Sequence, residues 1–224
     1  MKAIILALVS SLIVDSYCEV NGVIDLSHWN GNTNFATAKR NGLVGVIHKA
    51  TQGLTYTDPK YTTRKAQAEK EGLLWGAYHF GVGGKSGTEQ ANHFLRVVGD
   101  SAKVLLALDL EENKNGKDMT LAEAEDFVKR VKERTGRYPI LYGSSYFLEK
   151  YNTATMKNCH LWIAHYTNRD KPRLPAGWDS WVLWQYTDGR TGGTPRSLTG
   201  ISGVIDRNKY SGTLQQLNTK WPNL

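Results

Sequence analysis

The sequence predicts an α/β fold, a TIM-like (β/α)5(β)3 barrel of eight strands and about five helices in a single domain. Three observations carry that expectation. Eight short apolar runs with strand character follow one another along the chain, several of them continuous and bounded by Gly or polar residues, as in strands buried on both faces. Segments able to form helices separate the first six, and such alternation builds a mostly parallel sheet. After the sixth run the gaps at 171–177 and 187–200 become rich in Gly and Pro, so the last strands are expected to be joined by loops. Eight strands suggest closure into a barrel with its site at the strands' C-terminal ends. An open doubly wound sheet fits less well, because no Gly-rich phosphate loop follows the first strand.

In chain order the predicted strands are 22–25, 44–49, 74–80, 104–111, 138–143, 161–166, 181–186 and 204–206. The predicted helices are 34–41, 61–72, 88–98, 121–134 and a short one near 146–151. The fourth helix is the clearest. Thr120 can cap it, with Glu123 three residues on completing a capping box. Leu121, Ala124, Phe127, Val128 and Val131 form its apolar stripe, and Gly136 ends it.

Residues 1–18 read as a secretory signal: Met1-Lys2, an apolar run from Ala3 to Val14, then Ser16 and Cys18 as the small residues of a cleavage site. The run is shorter than the roughly 20 apolar residues needed to span a bilayer. The expected mature domain is 19–224, exported to the medium or to the lumen of a digestive vacuole or lysosome, with no membrane partner. If Cys18 leaves with the signal, Cys159 is alone and no internal disulfide forms. Lys and Arg number 28 against 21 Asp and Glu, a net charge of +7. Such a field favours an anionic partner. The positive charges are scattered rather than gathered in one arm, which argues against nucleic acid. No appended wall-binding repeat is found, and a monomer is expected.

Polar residues gather where the predicted strands finish: Asp25, Lys49, Tyr78-His79, Asp109-Leu110-Glu111, Tyr142, His165-Tyr166, Gln185-Tyr186 and Asp206. Asp109 and Glu111 are the sharpest signal, because they close the wholly apolar run 104–108. At spacing i, i+2 both side chains leave one face, with Cα atoms about 6.5–7 Å apart. Carboxylates so close do not ionise independently, and one is held protonated. A neutral carboxylic acid beside a second carboxylate is the equipment of glycoside hydrolysis. The bland alternative is an acidic turn, since Glu112 and Asn113 follow, but Asp25 and Asp206 at two further strand ends weigh against it. Seven Trp and eleven Tyr offer flat apolar rings suited to sugar faces, and Trp29, Tyr78, Tyr142, Trp162, Tyr166 and Trp184 lie near strand ends. No His-Glu-x-x-His or Cys-rich zinc pattern occurs, and Ser144-Ser145 lacks a nucleophile-elbow setting.

These residues resemble the family 25 glycoside hydrolases, the Ch-type lysozymes. The resemblance rests on ordered motifs over nearly the whole mature chain: Gly22-Val-Ile-Asp25-Leu-Ser27, His48-Lys49-Ala50-Thr51, Gly76-Ala-Tyr78-His79-Phe80, Leu108-Asp109-Leu-Glu111, Leu161-Trp162-Ile-Ala164, Trp184-Gln185-Tyr186 and Asp206-Arg-Asn208. It implies N-acetylmuramidase action on bacterial peptidoglycan, with Glu111 as general acid and Asp109 orienting the N-acetyl group or stabilising positive charge at the anomeric carbon. Asp25 and Asp206 would line the same site, and Tyr78 and Tyr142 would contact the sugar. Trp162, Gln185 and Lys49 complete the expected substrate-binding set. The resemblance implies no metal or organic cofactor. Two positions depart from the family pattern: Asn30 stands where Gln is usual, and Gln52 where Glu is usual. The rival readings are a chitinase-like β-N-acetylglucosaminidase barrel, which would place acids at Val104 and Ala107, and a catalytically inactive cationic carbohydrate-binding antimicrobial protein.

Overall fold

The computed structural model describes residues 19–224; the expected signal segment 1–18 lies outside the described residues. Nine strands and six α-helices follow in order: β1 (Val20–Leu26), α1 (Phe35–Arg40), β2 (Gly45–Gln52), β3 (Tyr56–Thr57), α2 (Tyr61–Lys70), β4 (Leu74–Phe80), α3 (Gly87–Val98), β5 (Val104–Asp109), α4 (Leu121–Thr135), β6 (Ile140–Ser144), α5 (Ser145–Leu148), β7 (Leu161–Ala164), β8 (Leu183–Thr187), β9 (Asp206–Tyr210) and α6 (Leu214–Lys220). The strands form one sheet ordered β1-β9-β8-β7-β6-β5-β4-β2-β3, and β1 also pairs with β2, which closes an eight-stranded barrel with β3 as an appendage. Among the described residues no helix is long and apolar enough to cross a membrane.

Period-2 alternation decides what each strand gives to the interior. One apolar cluster fills the barrel: Val23, Ile47, Leu105, Ala107, Ile140, Tyr142, Trp162, Leu183 and Tyr210. Leu217, Trp221 and Leu224 join it from the C-terminal segment, which plugs the barrel end opposite the site; the Trp221 indole donates to the Trp75 carbonyl at 2.9 Å. A second, larger cluster lies between the strands' outer faces and the helices. The capping box of Thr120 and Glu123 forms as the sequence predicts, and Gly136 closes α4 in the left-handed region. Gly87 is required at the start of α3, because a Cβ there would stand 1.8 Å from the Glu123 carbonyl oxygen.

The last strand corrects the sequence reading. A strand at 204–206 ending in Asp206 is not what forms: β9 begins at Asp206 and runs antiparallel to both β1 and β8. Asp206 still reaches the mouth, because the start of an antiparallel strand lies beside the ends of its parallel neighbours. The residues 206–210 (Asp-Arg-Asn-Lys-Tyr) carry little apolar signal, so their strand character comes from closing the barrel wall rather than from local pattern.

Candidate active site

The site is the top layer of the barrel interior. Counting upward in steps of two from the apolar interior residues, Val23 leads to Asp25, Leu105 and Ala107 to Asp109, Ile140 to Tyr142 and Leu183 to Gln185. Together with Tyr78, Glu111, Trp162, Tyr166 and Asp206 they line a narrow cavity of about 190 Å³. The structure thus brings together eight of the nine residues singled out from the sequence. Lys49, two positions above interior Ile47, does not line that cavity. Its ammonium donates to Gln52 Oε1 at 2.6 Å and lies 4.8 Å from the centre of the Phe80 ring.

Asp25 is the most tightly held of the acids. Gln185 Nε2 donates to both its carboxyl oxygens at 3.0 Å, and Asn208 Nδ2 donates to Oδ1 at 2.8 Å. Each amide is itself oriented. The hydroxyls of Tyr142 and Tyr166 both donate to Gln185 Oε1 at 2.7 Å, and the buried Trp162 indole donates to Asn208 Oδ1 at 2.7 Å. Asn208 belongs to the last sequence motif but was not singled out as a site residue; its amide is what ties Trp162 to Asp25.

Asp109 is 4 % exposed, and one of its carboxyl oxygens has no hydrogen-bond partner. A buried acid left open toward a cavity costs stability, which is characteristic of groups kept for a ligand. The chain beyond β5 is held on both sides: Gly81 N donates to the Asp109 carbonyl at 3.0 Å and Leu110 N to the Tyr142 carbonyl at 2.9 Å. Gly143 makes this possible, since a Cβ on it would lie 2.5 Å from the Leu110 carbonyl oxygen. Glu111, two residues after Asp109, therefore stands at the rim, open to water on one side and facing the acid cluster on the other.

Electrostatics follow from burial and crowding. Burial, then repulsion from Glu111, lifts Asp109 well above the ordinary carboxylate value, against the opposing charge of Lys49. Glu111 is raised by desolvation of its pocket-facing carboxyl, with Lys49 opposing and Asp25 adding to the rise. Burial raises Asp25 to about 6, although the Gln185 and Asn208 hydrogen bonds pull it down. Asp206 is pushed up to about 8, by burial first and then by Asp25, Asp188 and Glu111. Near neutral pH the four acids therefore share protons and carry fewer than four negative charges. The phenols of Tyr78 and Tyr142 are pushed upward, chiefly by burial, and stay neutral.

Two of the histidines near strand ends, His48 and His79, are buried and structural. On the barrel's outer face His79 Nε2 donates to Gln90 Oε1 at 3.1 Å and its Nδ1 accepts from the Thr51 hydroxyl at 2.7 Å, and His48 Nδ1 donates to the Lys49 carbonyl at 2.8 Å. A residue that sequence reasoning missed is Arg64 of α2. Its guanidinium is buried and donates to the carbonyls of Ser27, Asn30 and Gly31, fixing the loop after β1. Nothing in the local pattern separates it from an exposed helical base.

The cavity opens at both sides. One arm, a groove of about 1040 Å³, shares Glu111, Tyr142 and Tyr166 with it and runs past Tyr146 and Phe147. The other, about 500 Å³, shares Asp206 and runs past Trp29 and Arg190. Depressions that flank an acid cavity and share its lining residues suit a linear polymer rather than a small metabolite.

Residues 24–193 match the profile of the family described as Glycosyl hydrolases family 25. Lysozyme M1 of Streptomyces globisporus is 32 % identical over 213 residues, covering 87 % of this chain and 69 % of that protein. Among solved structures, the bacterial lysozyme from Streptomyces coelicolor superposes with a TM-score of 0.77 at 32 % identity, over 91 % of this chain and 97 % of that one. The muramidase from Acremonium alcalophilum gives 0.75 at 31 % identity, over 89 % and 97 %. An eight-stranded barrel with acids gathered at its mouth, together with a family match over most of the chain, makes this protein a member of family 25 of the glycosyl hydrolases.

Proposed function

We propose that the protein is a muramidase, hydrolysing the β-1,4 bond from N-acetylmuramic acid to N-acetylglucosamine in bacterial peptidoglycan. One observation carries this reading: Glu111 borders both the narrow acid cavity and the open groove, beside the buried Asp109 with its unpartnered oxygen. A glycan lying across the cavity and the groove places a glycosidic oxygen against Glu111. The sugar also displaces the water now reaching that carboxyl, which raises its proton affinity further and keeps it an acid. Glu111 then donates its proton to the leaving oxygen as the bond to the anomeric carbon breaks, and water supplies the hydroxyl that replaces it while its remaining proton passes to the carboxylates of the cluster and restores the acid. Asp109 orients the N-acetyl group or stabilises the positive charge at that carbon. Asp25, clamped by Gln185 and Asn208, and Asp206 shape the field around both. Tyr78 and Tyr142 bear on the sugar, with Trp162 and Gln185 forming the floor, while Lys49 acts on the acids by its charge. The reading places a monomeric enzyme outside the cell, or in a compartment where bacteria are digested.

Digestion of purified peptidoglycan, followed by borohydride reduction and mass spectrometry of the new ends, tests it. Reduced muramic acid ends are expected. Reduced glucosamine ends would turn the substrate round and favour a glucosaminidase. No cleavage by folded protein at any pH would leave carbohydrate binding without catalysis.

A further inference from the structure

Trp162 forms part of the cavity floor, yet it is only 1 % exposed and offers almost no ring face to a sugar. Its polar end is committed as well. The indole Nε1 donates to Asn208 Oδ1 at 2.7 Å, and Asn208 Nδ2 donates in turn to Asp25 Oδ1 at 2.8 Å. An indole nitrogen can only donate, whereas an Asn amide presents an acceptor at one end and donors at the other. The Trp162 N–H therefore fixes which end of Asn208 meets Asp25. Turned over, the amide would set N–H against N–H on one side and carbonyl against carboxylate on the other.

Strand pairing holds Asn208 in that place: it lies opposite Val23 of β1 and Gln185 of β8 and is fully buried. Gln185 supports Asp25 from the other side, but its Oε1 accepts from the Tyr142 and Tyr166 hydroxyls, and a hydroxyl can turn from donating to accepting. The tyrosine side of the clamp can adapt to a turned amide; the tryptophan side cannot. A proton on Asp25 needs an acceptor, and Asn208 could offer one only by turning over. The other groups facing Asp25 are Asp206 on β9, Asp109 and Glu111 at the end of β5, and the phenols of Tyr78, Tyr142 and Tyr166. Lys49 of β2 acts on Asp109 and Glu111, while Arg207 and Lys209 of β9 bond Asn21 and Glu19 on the outer face. Among the described residues no Lys or Arg pairs with Asp25, so its charge rests on amide hydrogens.

We infer that Trp162 is a positioning residue: by holding the Asn208 amide in one orientation, its indole denies Asp25 a partner for a proton and keeps it the anionic member of the acid cluster. The consequence in turnover rests on the muramidase reading. The charge of Asp25 strengthens the hold of Glu111 and Asp109 on their protons, and Glu111 is the group that delivers one.

The test follows the Asp25 carboxyl by carbon-13 NMR, its resonance identified by loss in Asp25→Asn. Trp162→Phe keeps a ring but removes the N–H. Asp25, at about 6 in the wild type, should then titrate about one pH unit higher, a roughly tenfold gain in proton affinity of the size a hydrogen bond to a charged group supplies. Where that variant does not fold, β-(3-benzothienyl)alanine at position 162, an isosteric ring with sulfur in place of N–H, removes the hydrogen bond alone. Asn208→Leu should raise the titration at least as far, and adding Trp162→Phe to it should change nothing more, because no amide remains to be turned. On peptidoglycan the acidic limb of kcat/KM should move up with the carboxyl in Trp162→Phe, with KM little changed. An unmoved Asp25 titration, or a further shift on adding Trp162→Phe to Asn208→Leu, overturns the inference; a raised KM with an unmoved carboxyl would make Trp162 a sugar contact instead. The titration needs no substrate, so a wild type that cuts no glycan overturns the muramidase reading alone.

Discussion

Asp25 and Asp206 are cross-strand partners, directly opposite each other where β1 meets the antiparallel β9. Like charges in that position repel, so the pair is tolerable only if it holds a proton or is compensated by hydrogen bonds. Asp25 takes the hydrogen bonds, from Gln185 and Asn208; Asp206 takes the proton, its affinity raised to about 8. The arrangement costs stability as the pH rises. An acid whose folded pKa lies above its unfolded one stabilises at low pH, and that contribution is lost as pH climbs from the unfolded value through the folded one. For Asp206 the loss runs from about 4 to about 8. His48 and His79, depressed to about 4 and about 3, act the other way, but only below their unfolded value of 6.5.

Between pH 7 and 9 the melting temperature of the wild type is therefore expected to fall, and that of Asp206→Asn to fall distinctly less. Scanning calorimetry across that range checks this. Parallel curves would mean that Asp206 is already ionised at neutrality.

Replacing Glu111 by Gln is expected to lower kcat by a factor of about 10² to 10⁴, the range of a lost general acid. Stability should hold or rise, because one member of a repelling cluster is removed. Activity and melting temperature measured on the same preparation separate a catalytic role from a structural one. A cationic killer that works by charge alone would be unaffected.

Gln185→Met removes the amide that donates to both oxygens of Asp25, leaving only Asn208 on it, and the acceptor of two tyrosine hydroxyls while keeping the volume. Each buried polar group left unpaired costs about 1–3 kcal/mol, so a loss of about 2–4 kcal/mol is expected in urea unfolding after partial rearrangement. Tyr142→Phe, which removes one donor to an oxygen that keeps another from Tyr166, should cost about 1 kcal/mol. Equal costs for the two would show that the clamp on Asp25 is not the centre of the network.

Gln52→Glu sets a carboxylate against the ammonium that Gln52 Oε1 now accepts from at 2.6 Å. Lys49 holds down the proton affinity of Asp109 and Glu111, and neutralising it should let both rise. The alkaline limb of kcat/KM is then expected to move to higher pH. An unmoved limb would remove Lys49 from the electrostatics of the acid pair.

The barrel and most of its mouth were legible because one rule, alternation along a strand, governs both. An apolar interior position followed two residues later by Asp, Tyr or Gln reads as core below and site above, and this holds at Asp25, Asp109, Tyr142 and Gln185. The direction of the last strand was not legible. Its Asp-Arg-Asn-Lys-Tyr run lacks the apolar continuity that identifies a buried strand, and only closure against β1 and β8 makes it one. Helix α6 escaped for a related reason: just one of its residues, Leu217, is buried, so it carries no stripe. Trp29 and Arg64 show the limit of side-chain type as a guide. The first is an apolar residue left in water, and the second a charged one hidden under a loop.

The reversal of β9 has a consequence for how such an enzyme can change. Asp206 is held in register by its pairing with Asp25 of β1, and the next residue, Arg207, pairs with Thr187 of β8, whereas the 18 residues between β8 and β9 that precede it (188–205) follow no ladder along most of their length. Arg190 belongs to that stretch. Insertions, deletions or exchanges there can reshape the depression beside the acid cavity without displacing the acid at its end. The lining of one depression and one of the four acids are thus carried on one segment yet fixed by different contacts, so the lining can drift while the acid stays where it is.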